Sequence, residues 1–379
     1  MTPPRTLSST TIALLAGLLA LQGVLVAGTF TPGAHSGGDN AGYVALADAL
    51  TEGAGYVERW EPGAPNHTKY PPVFAGLLAL LVAFGAERWV TLKLVAALAG
   101  VIAVGATFLW ARRRIPEGVA ALVALVFGLS YSLLYHSRYI LSDVPFVAFA
   151  LLALWLLEAR REVGEDPAAP APSTEAEAGG SGRSPGSPTV FALALLGVML
   201  AWFTRSAGLP LVLALLGTLA LRRAWARLAV AGGVLAVPGL AWSLRSGSTE
   251  GEYGAEFLLV DPYDPGLGRV DLPGLVERIG ANAGGYLTEH LPAALAGPGA
   301  GAGWVGALIL LLALLAVVGW IRALRPAPGT LPGAAELFFP LYLGVVLLWP
   351  PVWSGDRFAL PLLPLLLVYA IEGGRWITR

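Results

Sequence analysis

Long apolar runs recur along the whole sequence and restrict the chain to a membrane fold. Hydrophobic residues make up 56% of its 379 residues and charged residues 13%, against about 25% charged in soluble domains. Stretches able to cross about 30 Å of hydrocarbon predict ten spans. These spans are residues 11–28, 90–110, 118–136, 143–158, 189–204, 207–221, 228–243, 303–321, 335–352 and 358–371. The sequence predicts an all-α, polytopic membrane helix bundle of about ten transmembrane helices, with juxtamembrane helices on the outer face.

Loop charges predict the orientation of these spans, because Lys and Arg near span ends favour the cytoplasm. The apolar run 70–86 is short and begins with two prolines. If it lies along the outer leaflet instead of crossing, the basic clusters 112–114 and 222–223 both fall inside. We therefore predict a multi-pass plasma-membrane protein with both termini in the cytoplasm and run 11–28 as a retained signal anchor.

Composition divides the chain into three parts. Residues 1–160 form an N-terminal membrane module with a first outer loop at 29–89. Residues 161–188 are rich in Pro, Ala, Gly, Ser and Glu without apolar periodicity, which predicts a disordered cytoplasmic linker. Residues 189–379 form a C-terminal module with an outer amphipathic segment at 245–300. A net charge of −1 gives no indication of nucleic-acid binding, and the absence of cysteine excludes disulfides and thiolate sites.

The first outer loop carries candidate reactive groups. Asp39 precedes a helix-like stretch that includes Tyr43, so its carboxylate either caps that helix or serves chemistry, and the two roles are compatible. The stretch "NHTKYPP" places His67, Lys69 and Tyr70 where the chain returns to the membrane. Lys69 either extends to lipid headgroups or contacts a phosphate.

The next predicted outer turn, "YHSRYILSD", contains His136, Arg138, Tyr139 and Asp143. Charged groups at the ends of spans are costly and often functional. Two interpretations stay open for this turn. Arg138 and Asp143 form a structural ion pair, or they contact substrate.

Three further charges lie at the predicted outer face. Arg205 interrupts an apolar hairpin, which favours a carboxylate or phosphate partner. Asp356 and Arg357 precede the last span, where they either anchor the chain at the interface or contact a ligand. The spacing of the histidines matches no metal motif, so a zinc site is not predicted. The four histidines are His35, His67, His136 and His290.

Five motifs in order resemble the GT-C class of integral-membrane glycosyltransferases. They are "DNAGYVALADAL", "KYPPVFAGLLALL", "YHSRYILSDVPFVAFALLALWLL", "TRSAGLPLVLALLG" and "DRFALPLLPLLLV". The similarity runs from about residue 11 to 371 without the linker and is strongest to bacterial relatives of protein O-mannosyltransferases and aminoarabinose transferases. It implies inverting transfer of a sugar from a polyprenyl-phosphate donor to a glycan, lipid or protein acceptor on the outer membrane face.

The resemblance also implies roles for single residues. Asp39 matches a general base or acceptor-orienting acid, and Asp143 matches a second acidic residue. Lys69 and Arg138 match basic residues that contact the carrier phosphate. Many relatives carry Asp-Glu where this chain has Asp39 followed by Asn40, so metal binding through two adjacent carboxylates is not implied. A divalent cation, Mg²⁺ or Mn²⁺, stays open as a cofactor.

The residues support this chemistry independently. Glycosyl transfer needs a carboxylate that takes the acceptor proton and cations that stabilise the departing phosphate. Asp39 and Asp143 are the candidate catalytic residues, and Lys69, Arg138 and Arg205 are the candidate phosphate contacts. Two alternatives stay open: a transporter or flippase of a lipid-linked sugar, and a protein that binds such lipids without catalysis. Candidate substrate contacts are Tyr43, His67, Tyr70, His136, Tyr139, Asp356 and Arg357.

Overall fold

A computed structural model of the protein describes residues 8–35, 38–85, 89–158, 187–246, 256–324 and 331–378. The predicted linker at 161–188 lies outside the described residues except for its last two positions. Those two residues begin a helix, because Ser187 caps it and Pro188 occupies its first position.

Four described helices are long and apolar enough to cross a membrane. A helix of 21 residues extends about 32 Å, which matches the hydrocarbon thickness. These four helices support a membrane location for the protein. They are α1 (Ser9–Thr29), α4 (Trp89–Ala111), α10 (Trp225–Ser246) and α13 (Trp304–Leu324).

The other helices are shorter, and the ten predicted spans are not confirmed. The predicted span 118–136 is broken at Ser130, whose extended backbone separates two helices. The number of crossings therefore stays a prediction. The shorter helices are α2 (Asp39–Thr51), α3 (Pro72–Ala83), α5 (Glu117–Leu129), α6 (Tyr131–His136), α7 (Asp143–Leu157), α8 (Pro188–Thr204), α9 (Leu209–Leu221), α11 (Leu272–Gly285), α12 (Leu291–Ala296), α14 (Ala334–Leu348), α15 (Asp356–Ala359) and α16 (Leu362–Ile377).

The main core lies between the long and short apolar helices. Side chains from α4, α7, α14 and α16 meet there, including the fully buried Trp110, Phe146 and Tyr369. Helices α13 and α16 cross at two glycines. A Cβ on Gly319 would lie 1.9 Å from the Tyr369 carbonyl oxygen, so only glycine permits this approach.

A smaller apolar cluster holds α2 and α3 against α4. Leu46, Phe74, Leu78 and Leu92 are almost fully buried in it. This cluster fixes the start of α2, where Asp39 is the first residue. The first outer loop is therefore a packed part of the bundle and carries Asp39 on a fixed element.

A buried ionic cluster joins the ends of several helices. Arg114, just after α4, contacts Glu336 at 2.5 Å, Glu158 at 3.2 Å and Glu372 at 3.3 Å. These carboxylates come from the end of α7, from α14 and from α16. The guanidinium is fully buried, so Arg114 links helices inside the bundle.

Candidate active site

The Asp39 carboxylate has two protein partners. Its Oδ1 accepts a hydrogen bond from the Tyr70 hydroxyl at 2.8 Å, and its Oδ2 accepts one from Nη1 of Arg357 at 2.9 Å. Gly38 is the N-cap residue of α2, and the helix has no side-chain capping bond. The predicted capping role of Asp39 is therefore wrong, because the carboxylate turns away from the helix end toward Arg357.

A second ion pair joins Asp143 and Arg205. Nη1 of Arg205 lies 2.6 Å from Oδ1 of Asp143 and 3.4 Å from the Ser142 hydroxyl, and that hydroxyl lies 2.7 Å from the hydroxyl of Tyr43. The expected partner for Arg205, a carboxylate, is confirmed. The alternative ion pair between Asp143 and Arg138 is wrong, because the Arg138 guanidinium instead lies 4.5 Å from the centre of the Tyr135 ring.

The charges around Asp39 keep it ionised. Burial alone would raise the pKa of this carboxyl, but the charge of Arg357, the hydrogen bond from Tyr70 and the charge of Arg205 outweigh burial and hold the pKa below its ordinary value. Burial and the neighbouring Asp39 raise the pKa of Tyr70, so its hydroxyl stays protonated as a donor. At neutral pH Asp39 is a carboxylate between two donors.

Lys69 forms an ion pair within the chain, and its side chain stays 40% exposed. Its Nζ lies 3.1 Å from a carboxylate oxygen of Glu256 and 4.8 Å from the centre of the Trp353 ring. The contact with Trp353 is a cation–π interaction. A third ion pair between distant segments therefore lies beside the two pairs of Asp39 and Asp143.

These groups meet at a cavity of about 110 Å³, which we call the charged cavity. Ionic groups and aromatic rings line it together, and the cavity therefore suits a ligand with an anionic part and an apolar part. Its lining residues are Asp39, Tyr43, Lys69, Tyr70, Pro71, Thr204, Arg205, Ser206, Ala207, Tyr263, Trp349, Trp353, Arg357 and Phe358.

Six residues predicted for the site lie off the cavity lining. Nε2 of His67 accepts the backbone N–H of Tyr70 at 2.8 Å, so His67 supports Tyr70 from behind. Nε2 of His136 lies 3.1 Å from Oδ2 of Asp356. The ring of Tyr139 lies tilted against the ring of Tyr135, with the two centres 5.1 Å apart. Contact of these residues with substrate stays a prediction. The six are His67, His136, Arg138, Tyr139, Asp143 and Asp356.

Several lining residues were not predicted. Trp349 and Trp353 flank two prolines at the end of a predicted span, where tryptophan is typical of a membrane interface. That signal indicates an interface but not a cavity. The lining residues Tyr263 and Thr204 carry no sequence signal that separates them from other residues, and neither does Glu256, which pairs with Lys69 outside the lining. Packing alone brings them to the site.

Helix α11 forms a support behind the tryptophans. Its buried face carries Arg278 and Asn282, whereas Val276 is 70% exposed. The Asn282 amide donates to the carbonyl oxygens of Leu347 at 2.9 Å and Trp349 at 2.7 Å. These bonds satisfy the carbonyl groups left open at the end of α14. The expected apolar face of this segment is therefore turned partly outward, and its polar face holds the cavity wall.

The two candidate carboxylates of the site are both paired with arginines. Asp39 forms an ion pair with Arg357, and Asp143 forms one with Arg205. Among the described residues no group of three or more His, Asp or Glu side chains is arranged to bind a metal.

Comparisons with known proteins place the fold. No protein-family profile and no curated protein matches the sequence. The crystal structure of ArnT from Cupriavidus metallidurans bound to undecaprenyl phosphate is similar over 96% of this chain, with a TM-score of 0.56 and 18% identity. The Archaeoglobus fulgidus oligosaccharyltransferase in complex with Zn and sulfate is similar over 95%, with a TM-score of 0.52 and 14% identity.

The similarity covers less of the other proteins. This chain spans 60% of the ArnT chain and 49% of the oligosaccharyltransferase chain. Both are GT-C glycosyltransferases. The resemblance drawn from the five sequence motifs is confirmed at the level of architecture, and the chain has the fold of the GT-C membrane glycosyltransferases.

Proposed function

We propose that the protein transfers a sugar from a polyprenyl-phosphate donor to an acceptor hydroxyl, with inversion at the anomeric carbon. The observation that carries this proposal is the charged cavity, where an ionised carboxylate lies among three cations within a GT-C fold. The ArnT structure with undecaprenyl phosphate supports the donor class. The polar groups that the reaction needs therefore come from this chain.

The cations of the cavity are the proposed contacts of the donor phosphate. Lys69, Arg205 and Arg357 line the cavity from three distant segments of the chain. As the glycosidic bond breaks, negative charge grows on the departing phosphate, and preorganised cations stabilise that charge. Arg138 lies off the lining, so we assign it no direct contact in this scheme.

Asp39 is the proposed general base. The acceptor hydroxyl attacks the anomeric carbon, its proton passes to the Asp39 carboxylate, and the bond from the anomeric carbon to the phosphate oxygen breaks. Oδ2 of Asp39 accepts a hydrogen bond from Arg357. If Arg357 turns to the donor phosphate, that oxygen becomes available for the proton and the carboxylate becomes more basic.

Asp143 is proposed to orient Arg205. The pair is short, at 2.6 Å, and both side chains are largely buried. A buried carboxylate in this position fixes the guanidinium where it lines the cavity. Asp143 is not among the lining residues, which favours an orienting role over direct proton transfer.

The orientation in the membrane belongs to the same proposal. The positive-inside pattern places the cavity on the extracytoplasmic side, and the polyprenyl tail enters from the bilayer. A transporter or flippase is not favoured. The charged groups of the cavity lie at helix ends, whereas transporters place such groups near the bilayer midplane.

The test uses purified protein in lipid vesicles with a panel of labelled polyprenyl-phosphate sugars and acceptors. We expect acceptor-dependent release of polyprenyl phosphate by the wild type and a rate about 100-fold to 10,000-fold lower for Asp39→Asn. Asp48→Asn, on the same helix but off the cavity, is the matched control and keeps wild-type activity. Asp39→Asn activity within a few-fold of wild type contradicts the base assignment.

A further inference from the structure

The segment from α6 to the start of α7, residues 131–143, contacts both sides of the Asp39 ion pair. We call it the α6–α7 segment. On the side of α2, the backbone N–H of Ile140 donates to Oδ1 of Asn40 at 2.9 Å. The Tyr43 and Ser142 hydroxyls, 2.7 Å apart, add a second link to α2. Asn40 is 3% exposed, so this link is shielded from water.

The same segment holds the start of α15. The Ser132 hydroxyl donates to Oδ2 of Asp356, and Nε2 of His136 lies 3.1 Å from that oxygen. Ser132 and His136 are buried. A carboxylate that accepts from two buried donors has a fixed position. The α6–α7 segment is therefore bonded to α2 at one point and to α15 at another.

The two anchor residues are the chain neighbours of the ion-paired residues. Asn40 follows Asp39, and Asp356 precedes Arg357. Asp39 and Arg357 are 318 positions apart in the sequence. Neither Asn40 nor Asp356 lines the charged cavity. We propose that Asn40 and Asp356 are positioning residues that set the Asp39–Arg357 distance through the α6–α7 segment.

This inference rests on the proposed function and adds residues to its site. It also explains the amide at position 40. A carboxamide oxygen can accept the Ile140 N–H, as a carboxylate oxygen could. Unlike a carboxylate, it adds no second negative charge beside Asp39. An Asp-Asn pair thus combines one ionised group for chemistry with one neutral group for positioning.

The first test compares transfer kinetics of variants at position 356. A positioning carboxylate needs its oxygen as an acceptor, so we expect Asp356→Asn to stay within about tenfold of wild type in kcat. Asp356→Ala loses the acceptor and is expected to lose about 100-fold. Asp264→Ala, an exposed site in the loop before α11, is the matched control with wild-type rates. Equal losses for Asp356→Asn and Asp356→Ala overturn the proposal, because they assign the carboxylate charge itself to the reaction.

The second test is the pH profile of kcat/KM. The charged and titratable groups that face Asp39 are Arg357, Arg205, Tyr70 and Tyr43. Arg357 lowers the pKa of Asp39, so a displaced Arg357 moves the acid limb of the profile to higher pH. We expect this movement in Asp356→Ala and in Asn40→Ala. An acid limb that stays at the wild-type pH in both variants overturns the proposal.

A third test does not depend on activity. The chain has no cysteine, so spin labels are placed at Ala41→Cys on α2 and Val352→Cys before α15, both exposed sites. We expect a narrow distance distribution that broadens in Asp356→Ala and stays narrow in Asp264→Ala. A broadened distribution supports the positioning role even if the wild type releases no polyprenyl phosphate, in which case only the proposed reaction fails. An unchanged distribution in Asp356→Ala overturns the positioning role itself.

Discussion

The Arg205–Asp143 pair provides a test that separates stability from activity. The two charged groups lie 2.6 Å apart, with side-chain exposures of 14% and 3%. At an effective dielectric constant of 20, their gross attraction is about 6 kcal/mol. Much of it offsets the cost of taking both charges out of water. Removal of one partner from a buried pair costs about 3–5 kcal/mol, because the other charge stays buried without compensation.

We expect Arg205→Gln to lose folding stability by an amount near the lower end of that range. Arg357 is close enough to Asp143 for each charge to act on the other, so Asp143 keeps one nearby cation. The double variant Arg205→Gln, Asp143→Asn leaves no unpaired charge. We therefore expect it to recover most of the thermal stability lost in the single variant.

Activity, unlike stability, is not expected to return in the double variant. The proposed phosphate contact of Arg205 is absent in both variants, so both are expected to lose about 100-fold to 1,000-fold in kcat. The assays are thermal unfolding in detergent and release of polyprenyl phosphate from vesicles. A double variant less stable than Arg205→Gln refutes the stability reasoning. A double variant with near wild-type activity refutes the phosphate contact.

Three further predictions concern single contacts. Glu256→Gln frees Lys69 from a partly exposed ion pair and lowers the KM of the donor up to about fivefold, measured in steady-state kinetics. Tyr70→Phe removes a hydrogen bond that lowers the pKa of Asp39, so the acid limb of kcat/KM moves to higher pH. Gly319→Ala places a Cβ 1.9 Å from a carbonyl oxygen of α16 and destabilises the protein by about 1–3 kcal/mol or more, measured by thermal unfolding.

Each of these predictions has a contrary result. A donor KM that rises in Glu256→Gln indicates that the Glu256 carboxylate helps binding instead of competing with the phosphate. If the acid limb of the kcat/KM profile stays at the wild-type pH in Tyr70→Phe, the titration of Asp39 does not produce that limb. Gly17→Ala in α1 is the control for Gly319→Ala, because an added Cβ there meets no atom within 4 Å. Equal unfolding temperatures in the two alanine variants contradict the close crossing of α13 and α16.

Apolar periodicity and loop charge were sufficient to predict the all-helical membrane fold and the end of the bundle that holds the site. An arginine in the middle of an apolar hairpin indicated a buried anionic partner for Arg205, and the structure supplies Asp143. The cost of an unpaired charge in an apolar setting makes such predictions reliable. The same rule gives no partner identity, which is why the sequence offered Arg138 as the ion-pair partner of Asp143 and left the partner of Arg205 unnamed.

Long-range pairing and helix breaks were beyond prediction from the sequence. The interruption at Ser130 turns one apolar run into two helices, and the sequence marks it only by Gly128, two residues earlier, without a proline. In the sequence, Arg114 is the last of three consecutive arginines in a predicted loop. In the structure, its side chain is fully buried against carboxylates from α14 and α16. These features depend on the packing of helices far apart in the sequence, which local patterns do not specify.

The ion pairs of the charged cavity form a neutral set whose members come from distant segments. Asp39 holds Arg357, Asp143 holds Arg205, and Glu256 holds Lys69. A phosphate that enters this set adds negative charge and competes with each carboxylate for its cation. The Arg205–Asp143 pair is the most buried of the three, and therefore the Arg357 and Lys69 pairs are expected to open first. On this reasoning the opening of the Arg357 pair links donor binding to the release of the Asp39 carboxylate, so the base gains basicity only when there is a donor to react.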